Sequence, residues 1–197
     1  MRRIASATLA ALLLVATSAS LAAAEGASRA WTRLTDCRYV DAEGNDGDSF
    51  HVRCGIGDFI VRLYFVDAPE TDLRYPERVR EQSQHFGIST DAAMRAGHAA
   101  SAATREALRQ PFLVWTRWAS AQGRSKLPRY YAFVEVNRTD LAEWLVARGL
   151  ARTRGPTARH PAGESARARL QRLRAVEAEA RTERRGAWAT AGQKQVR

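Results

Sequence analysis

Two short acidic segments and one arginine are the residues of this sequence whose types and spacing indicate chemistry. Residues 46–49 read Asp-Gly-Asp-Ser, and residues 62–71 begin with Arg62 and include Asp67 and Glu70. A hard divalent cation takes oxygen ligands from such carboxylates, and a guanidinium binds phosphate through paired hydrogen bonds. The combination predicts a site for phosphoester chemistry.

A purely structural interpretation of the same residues is also open. Asp-Gly is a common turn signal, and Arg62 has an ordinary reason to pair with a structural carboxylate. Strict alternation along a strand places Arg62 and Asp67 on opposite faces. Both reach one site only if the strand bends or ends near Val66, and Pro69 favours such an ending.

The elements that must position these residues begin with strands. Turn residues and the alternation of polar and apolar side chains predict five of them, over residues 31–40, 49–54, 59–66, 112–118 and 129–136. In the second, Phe50, Val52 and Cys54 share one face, which is expected to be buried.

Three helices are predicted. The first runs from its cap at Asp91 to about residue 109, the second covers residues 140–149 with a capping-box start, and the third spans about 164–185. Residues 72–90 are polar, and Pro76 is expected to break any early helix there. This segment is therefore predicted to be irregular.

The order of these elements gives the fold class α+β. We predict a five-stranded Greek-key barrel of the OB type, packed with three helices. Glu177 falls inside the apolar stripe of the last helix. Either it is buried and paired, or the stripe is narrower than the pattern suggests.

The start of the chain has the order of a secretory signal. Arg2 and Arg3 precede an apolar stretch and then small residues that end at Ala24, which predicts cleavage after residue 24 and a secreted or periplasmic protein. The alternative, a membrane anchor, needs roughly 20 apolar residues, more than this stretch provides. Residues 25–190 are then one domain, and residues 191–197 a disordered tail.

Cys37 and Cys54 are the two cysteines of the chain, and they flank the Asp-Gly turn at nearly equal distances. A hairpin brings them opposite each other, and export places them in an oxidising compartment, so a disulfide is predicted. Two free buried thiols are the alternative.

The charge of the chain is unevenly distributed. The formal net charge is +10, and residues 152–197 hold 12 basic residues against 4 acidic ones. Such a surface attracts polyanions, although a solvated basic helix face is the simpler interpretation. The four histidines show no spacing typical of a zinc site.

Four segments together resemble the staphylococcal nuclease (thermonuclease) family. They are residues 46–49, 62–71, 141–151 and 173–188, and they occur in the family's order. The resemblance implies an OB barrel with three helices and a Ca²⁺-dependent phosphodiesterase. Such an enzyme cleaves single- and double-stranded DNA and RNA with little sequence preference and leaves 3′-phosphate ends.

The resemblance also assigns roles to individual residues. Asp48 and Asp67 match the family's calcium-binding carboxylates, and the backbone carbonyl of Ala68 matches a third ligand. Glu70 matches the carboxylate that orients or deprotonates the attacking water. Arg62 matches one of two arginines that bind the phosphate.

The second arginine is best matched by Arg129, with Arg124 as the alternative. The three residues before Arg129 are Lys-Leu-Pro, whereas family members usually have an acidic residue, a tyrosine and a glycine there. A further departure lies at residues 155–157, where Gly-Pro-Thr replaces tyrosines that contact the substrate base.

Base stacking must then come from other residues or be weaker. Trp115, Trp118 and Tyr130 are candidates, although aromatics in a small barrel belong more often to its core.

The expected function is therefore that of an exported, calcium-dependent nuclease, acting as a monomer. Two alternatives remain open. One is a noncatalytic OB module that binds nucleic acid or a protein partner, and the other is an envelope protein with only a structural cation.

Overall fold

A computed structural model of the chain describes residues 30–123 and 125–190. The predicted signal peptide, Arg124 and the predicted tail at 191–197 lie outside the described residues. Within the part that is described, no helix has the length and apolar character needed to cross a membrane.

Five strands close into a barrel. Their bounds are Thr32–Tyr39 (β1), Ser49–Cys54 (β2), Gly57–Leu63 (β3), Phe112–Ser120 (β5) and Arg129–Val136 (β6). β1 pairs with β2 and β5, β2 with β3, and β5 with β6, all antiparallel, and a parallel pairing of β3 with β6 closes the barrel. The predicted α+β barrel of the OB type is confirmed.

Three two-residue strands complete the sheets. β4 (Val66–Asp67) pairs with β8 (Arg152–Thr153), and β7 (Thr139–Asp140) pairs with the end of β6. Phe50, Val52 and Cys54 of β2 are buried in the main core, as their alternation predicts.

The described residues form four α-helices, so the predicted number of three is wrong. They are α1 (Pro76–Phe86), α2 (Thr90–Ala107), α3 (Leu141–Ala147) and α4 (Ala166–Thr182), followed by a 3-10 helix at Gly186–Thr190. The last three α-helices correspond to the predicted ones, but the predicted cap at Asp91 is wrong. Ser89 caps α2, accepting a hydrogen bond from the Ala92 N–H at 3.2 Å. Asp140 caps α3 by accepting a hydrogen bond from the Glu143 N–H at 2.9 Å.

The additional helix, α1, lies in the segment predicted to be irregular. Pro76 does not break this helix but begins it, at the first helical position. The N–H that proline lacks has no partner within a helix at that position, and the fixed φ of proline suits the first turn. Gly87 ends the helix with a φ of 68°, in the left-handed region that glycine adopts without strain.

Glu177 of α4 is half-buried and paired, which is nearer to the first of its two predicted alternatives. It accepts a hydrogen bond from the Thr153 N–H at 3.2 Å, and its other oxygen lies 2.9 Å from Nε2 of His85. Burial opposes its charge, but these two hydrogen bonds outweigh burial and lower the pKa of Glu177. Glu177 thereby links α4 to α1 and β8.

The predicted disulfide between Cys37 and Cys54 is confirmed, and it joins β1 to β2 inside the barrel. It closes a loop with a sequence separation of 17 residues. The cross-link restricts the unfolded chain and so stabilises the fold.

Replacing both cysteines by alanine is expected to lower the free energy of unfolding by about 3 kcal/mol, the loop-entropy value for a loop of this length. Urea unfolding of the double variant Cys37→Ala, Cys54→Ala under non-reducing conditions measures the change. Reduction of the parent protein is the control and is expected to give a loss of similar size. Equal unfolding midpoints for parent and variant contradict the prediction.

Candidate active site

The first acidic segment is a turn shaped by Asp46. Its Oδ1 accepts hydrogen bonds from the backbone N–H groups of Asp48, at 3.0 Å, and Ser49, at 2.6 Å. Asp46 therefore shapes the turn, as the purely structural interpretation of the sequence expects. The turn also directs the side chain of Asp48 into the protein.

Asp48 joins the first acidic segment to the second. It is buried, and its Oδ2 accepts a hydrogen bond from the Ala68 N–H at 2.9 Å. Its backbone carbonyl accepts another from the Leu63 N–H at 2.8 Å. The contact with Ala68 joins residues that are 20 positions apart in sequence, and the two contacts together hold the first acidic segment against the second.

The bend that Arg62 and Asp67 require is present between them. Strand β3 ends at Leu63, and Phe65 has a φ of 71°, which reverses the strict alternation of faces. Asp67 then lies in β4, and its Oδ1 accepts a hydrogen bond from Nη2 of Arg62 at 3.1 Å.

Arg62 lies between the two aspartates. Its Nη1 is 3.1 Å from Oδ1 of Asp48, and its Nη2 is 3.1 Å from Oδ1 of Asp67. Burial opposes the positive charge, but Asp48, Asp46 and Asp67 together raise the pKa of Arg62 above its usual value. The two carboxylates predicted to share a cation therefore face one guanidinium.

The two aspartates differ in their electrostatic environment. Burial, Asp46 and Asp67 raise the pKa of Asp48 well above its usual value despite Arg62. Burial acts in the same direction on Asp67, but hydrogen bonding from Gln82 and the charges of Arg78, Arg152 and Arg62 lower its pKa. Negative charge is thus compensated more fully at Asp67 than at Asp48.

Three partners of Asp67 were not identified from the sequence. Its Oδ1 accepts a hydrogen bond from Nη2 of Arg78 at 2.7 Å, and its Oδ2 accepts from Nε2 of Gln82 at 3.0 Å and from Nε of Arg152 at 2.9 Å. Arg78 and Gln82 belong to α1, the helix that the pattern did not predict. Arg152 lies in a two-residue strand, too short to leave a periodic signal.

Glu70 is held by the same helix. Its backbone N–H donates to Oε1 of Gln82 at 2.8 Å, and its Oε1 lies 2.9 Å from Nη2 of Arg78. Burial raises the pKa of Glu70 above its usual value. The carboxylate lies at the wall of an open cleft.

Helix α2 fixes the separation of the two acidic segments because it carries small residues where it meets them. A Cβ on Gly97 would lie 2.3 Å from the carbonyl oxygen of Glu70 and 2.6 Å from that of Pro69. Two turns further along, Thr104 Oγ1 donates to the carbonyl of Gly47 at 2.8 Å. This side of α2 therefore packs directly beneath the site.

The cleft has a volume of about 540 Å³ and collects most of the predicted catalytic side chains. Arg62, Glu70 and Arg129 line it, together with Asp46, while the buried Asp48 and Asp67 lie behind Arg62. Arg129 is oriented by donating from Nε to the carbonyl of Gln122 at 2.6 Å and from Nη2 to that of Ala121 at 3.2 Å.

The choice between the two candidates for the second arginine stays a prediction, because Arg124 lies outside the described residues.

The aromatic residues considered as stacking platforms do not line this cleft. Trp118 packs edge-on against Phe59 and Tyr130, with ring centroids 5.7 and 5.2 Å away, and Trp115 lies beside Arg33. Among the described Phe, Trp and Tyr residues, Tyr75 is the one that lines the cleft. It is also 45% exposed.

The oxygen atoms predicted to bind calcium are of the type that this ion prefers. Asp48 and Asp67 present carboxylate oxygens around one cation, the guanidinium of Arg62, and the carbonyl of Ala68 accepts a hydrogen bond from Nε2 of Gln82 at 3.0 Å. In this structure these residues already form ion pairs or hydrogen bonds with other protein groups. Across residues 30–123 and 125–190, no group of three or more Asp, Glu, His or Cys side chains has the arrangement of a metal site.

A protein-family model, that of the staphylococcal nuclease homologues, matches residues 60–190. The chain belongs to this family. The match includes Arg62, Asp67, Glu70 and Arg129, whereas Asp48 precedes it. No curated protein matches the chain. Membership in the staphylococcal nuclease homologue family supports a nuclease-type function and a nucleic-acid substrate.

The contact between Gly97 and the second acidic segment predicts the effect of one added methyl group. Gly97→Ala is expected to lower the free energy of unfolding by about 2 kcal/mol. Overpacking against backbone only 2.3 Å away is expected to cost about 3 kcal/mol, the upper end of the usual range, while alanine gains only about 1 kcal/mol in helix propensity. Denaturant unfolding measures the difference.

Gly55→Ala is the matched control for Gly97→Ala, since a Cβ at Gly55 meets no atom within 4 Å. It is expected to change stability by less than about 0.5 kcal/mol. If Gly97→Ala is as stable as the parent, α2 does not hold the Pro69–Glu70 backbone in the way described.

Proposed function

We propose that this chain is an exported, calcium-dependent phosphodiesterase that hydrolyses DNA and RNA with little sequence preference and leaves 3′-phosphate ends. The observation that supports this proposal most directly is the meeting of Asp48 and Asp67 at Arg62, beside a cleft lined by Glu70 and Arg129. The proposed enzyme acts as a monomer.

The two arginines account for binding and stabilisation of the phosphate. Attack on a phosphodiester builds negative charge on the phosphate oxygens, and guanidinium groups already in place lower the energy of that state. Arg62 and Arg129 approach the cleft from neighbouring strands, β3 and β6, which pair in parallel. A phosphate bound in the cleft would thus accept hydrogen bonds from one arginine side chain of each strand.

Glu70 is proposed to orient the attacking water and accept its proton. As that proton leaves, the water oxygen bonds to phosphorus. The bond from phosphorus to the 5′-oxygen breaks, and this oxygen leaves with the bonding electrons and takes a proton from solvent to give a 5′-hydroxyl. A carboxylate whose pKa is raised by burial is a better proton acceptor than one in water. A calcium ion held by Asp48, Asp67 and the carbonyl of Ala68 would supply further positive charge to the phosphate.

Export is proposed from the signal-like segment at residues 1–24. The disulfide between Cys37 and Cys54 is compatible with an oxidising compartment.

A noncatalytic module that binds nucleic acid through the same cleft is the second candidate. One observation favours it, because both carboxylate oxygens of Asp67 already accept hydrogen bonds from side chains of Arg62, Arg78, Gln82 and Arg152. Calcium must replace some of these donors in an active enzyme. A module of this kind binds DNA without cleaving it.

Cleavage of single-stranded DNA across a calcium titration tests the proposed activity. Glu70→Gln is expected to slow cleavage by about 10²–10⁴-fold, the range typical of a lost general base. Glu43→Gln is the matched control, since Glu43 lines the same cleft but is exposed. It is expected to retain the parent rate.

A chelator is expected to abolish cleavage by the parent protein, and added calcium to restore it. Binding of DNA without turnover at any calcium concentration favours the noncatalytic module. A parent-like rate for Glu70→Gln removes the proposed role of Glu70.

Tyr75 is proposed as the residue on which a substrate base stacks. Tyr75→Ala is expected to weaken binding of single-stranded DNA by about 1–3 kcal/mol, the usual value of one base–aromatic stack, whereas Tyr75→Phe retains the ring and the affinity. Leu73→Ala is the control, because Leu73 is 58% exposed in the same segment and does not line the cleft. Fluorescence anisotropy with a chelator present measures the affinities, and equal values for Tyr75→Ala and the parent refute the assignment.

A further inference from the structure

Helix α1 places the guanidinium of Arg78 in the cleft beside Arg62 and Arg129. Arg74 also lines this cleft, but it precedes the helix and pairs with the exposed Asp72. Arg78 lies in the first turn of α1, and its Nη2 contacts both Asp67 Oδ1, at 2.7 Å, and Glu70 Oε1, at 2.9 Å. It lines the same cleft and is 41% exposed. Both carboxylates are therefore bonded through a single nitrogen of this side chain.

The remaining donors of Arg78 have no partner within the described residues. Its Nε and Nη1 make no hydrogen bond to the part of the chain that the structure describes. A guanidinium offers five N–H donors in a planar fork, and a phosphate oxygen pair matches two of them. Arg78 is thus anchored at one nitrogen and retains donors for a ligand in the cleft.

Comparison with Arg152 separates this arrangement from that of a structural counter-ion. Arg152 also pairs with Asp67, but its side chain is only 3% exposed, and it uses Nε, Nη1 and Nη2 on Asp67 and Glu81. With Arg152 on one side and Arg62 on the other, the charge of Asp67 has partners without Arg78. Neutralising Asp67 does not explain a further, half-exposed arginine.

Helix stability does not explain the position of Arg78 either. The N-terminal turn of a helix carries partial positive charge, so a cation there is unfavourable and an acidic residue is favoured. Glu77, the neighbouring residue, satisfies that preference. Pairing with Asp67 and Glu70 occupies one nitrogen of Arg78, and its remaining donors in the open cleft suit an anionic ligand.

We propose that Arg78 is a third phosphate-binding residue of the cleft, contacting a phosphate of the bound nucleic-acid strand. This inference deepens the proposed function, because it concerns the same cleft and substrate class. Binding does not require catalysis, so the role of Arg78 can be tested whether or not the chain cleaves DNA.

The test measures binding of a fluorescently labelled oligothymidylate by anisotropy, with a chelator present, over a series of salt concentrations. Arg78→Ala is expected to bind about tenfold more weakly, since it loses charged hydrogen bonds to a phosphate. The slope of log affinity against log salt is expected to fall by about 0.7, the value for one phosphate contact on a single strand.

Arg80→Ala is the matched control. Arg80 lies on the same helix, its side chain is 58% exposed, it pairs with Glu77, and it does not line the cleft. It carries the same loss of charge and is expected to keep the parent's slope. Arg78→Gln, which can still donate to Asp67, is the second variant if Arg78→Ala fails to fold, and it is expected to lose the same slope.

Parent-like affinity and slope for a folded Arg78 variant overturn the inference and leave Arg78 as a counter-ion of Asp67 and Glu70. Equal changes in Arg78→Ala and Arg80→Ala overturn it as well, because they indicate a general effect of charge. A reduced slope in Arg78→Ala together with no cleavage by the parent supports Arg78 and removes the nuclease proposal. The two failures are thus distinguishable.

Discussion

The contact of Arg62 with Asp48 and Asp67 is the interaction on which the arrangement of the site depends. Charges that are shielded from water are costly unless they are paired, so removing this guanidinium or either carboxylate leaves a poorly compensated charge in this part of the barrel. Their meeting requires β3 to end at Leu63 and the chain to turn at Phe65. The requirement that stabilises this part of the fold is therefore also the one that assembles the cleft.

Two helices with different chemistry hold the acidic segments in place. Helix α2 approaches through Gly97 and Thr104, whose small or hydroxyl side chains allow contact with the backbone of both segments. Helix α1 approaches through Arg78 and Gln82, which hydrogen-bond directly to the acidic residues. Helix α2 thus sets the distance between the two acidic segments, and helix α1 places positive charge beside them.

Because of that distribution of charge, the charged form is more strongly stabilised at Asp67 than at Asp48. Asp67 is surrounded by cationic and amide donors that favour its charged form, whereas Asp48 has Arg62 and a backbone N–H against burial and two neighbouring acids. Additional positive charge beside Asp48, from a metal ion or from a closer Arg62, would therefore stabilise the charged form of this carboxylate. The carboxylate whose charge is less fully compensated, Asp48, thus lies on the buried side of the site, behind the cleft.

The sequence by itself determined those features that have a local cause. Alternation gave β2 at Ser49–Cys54 and β6 at Arg129–Val136, the cap at Asp140 gave α3, and the symmetric spacing of Cys37 and Cys54 gave the disulfide. Only the tertiary structure decided that Pro76 begins a helix, because proline both breaks helices and occupies their first turn. It also decided the partners of Asp67, since contacts between α1, β4 and β8 are set by packing over long sequence separations and leave no periodic pattern in the chain.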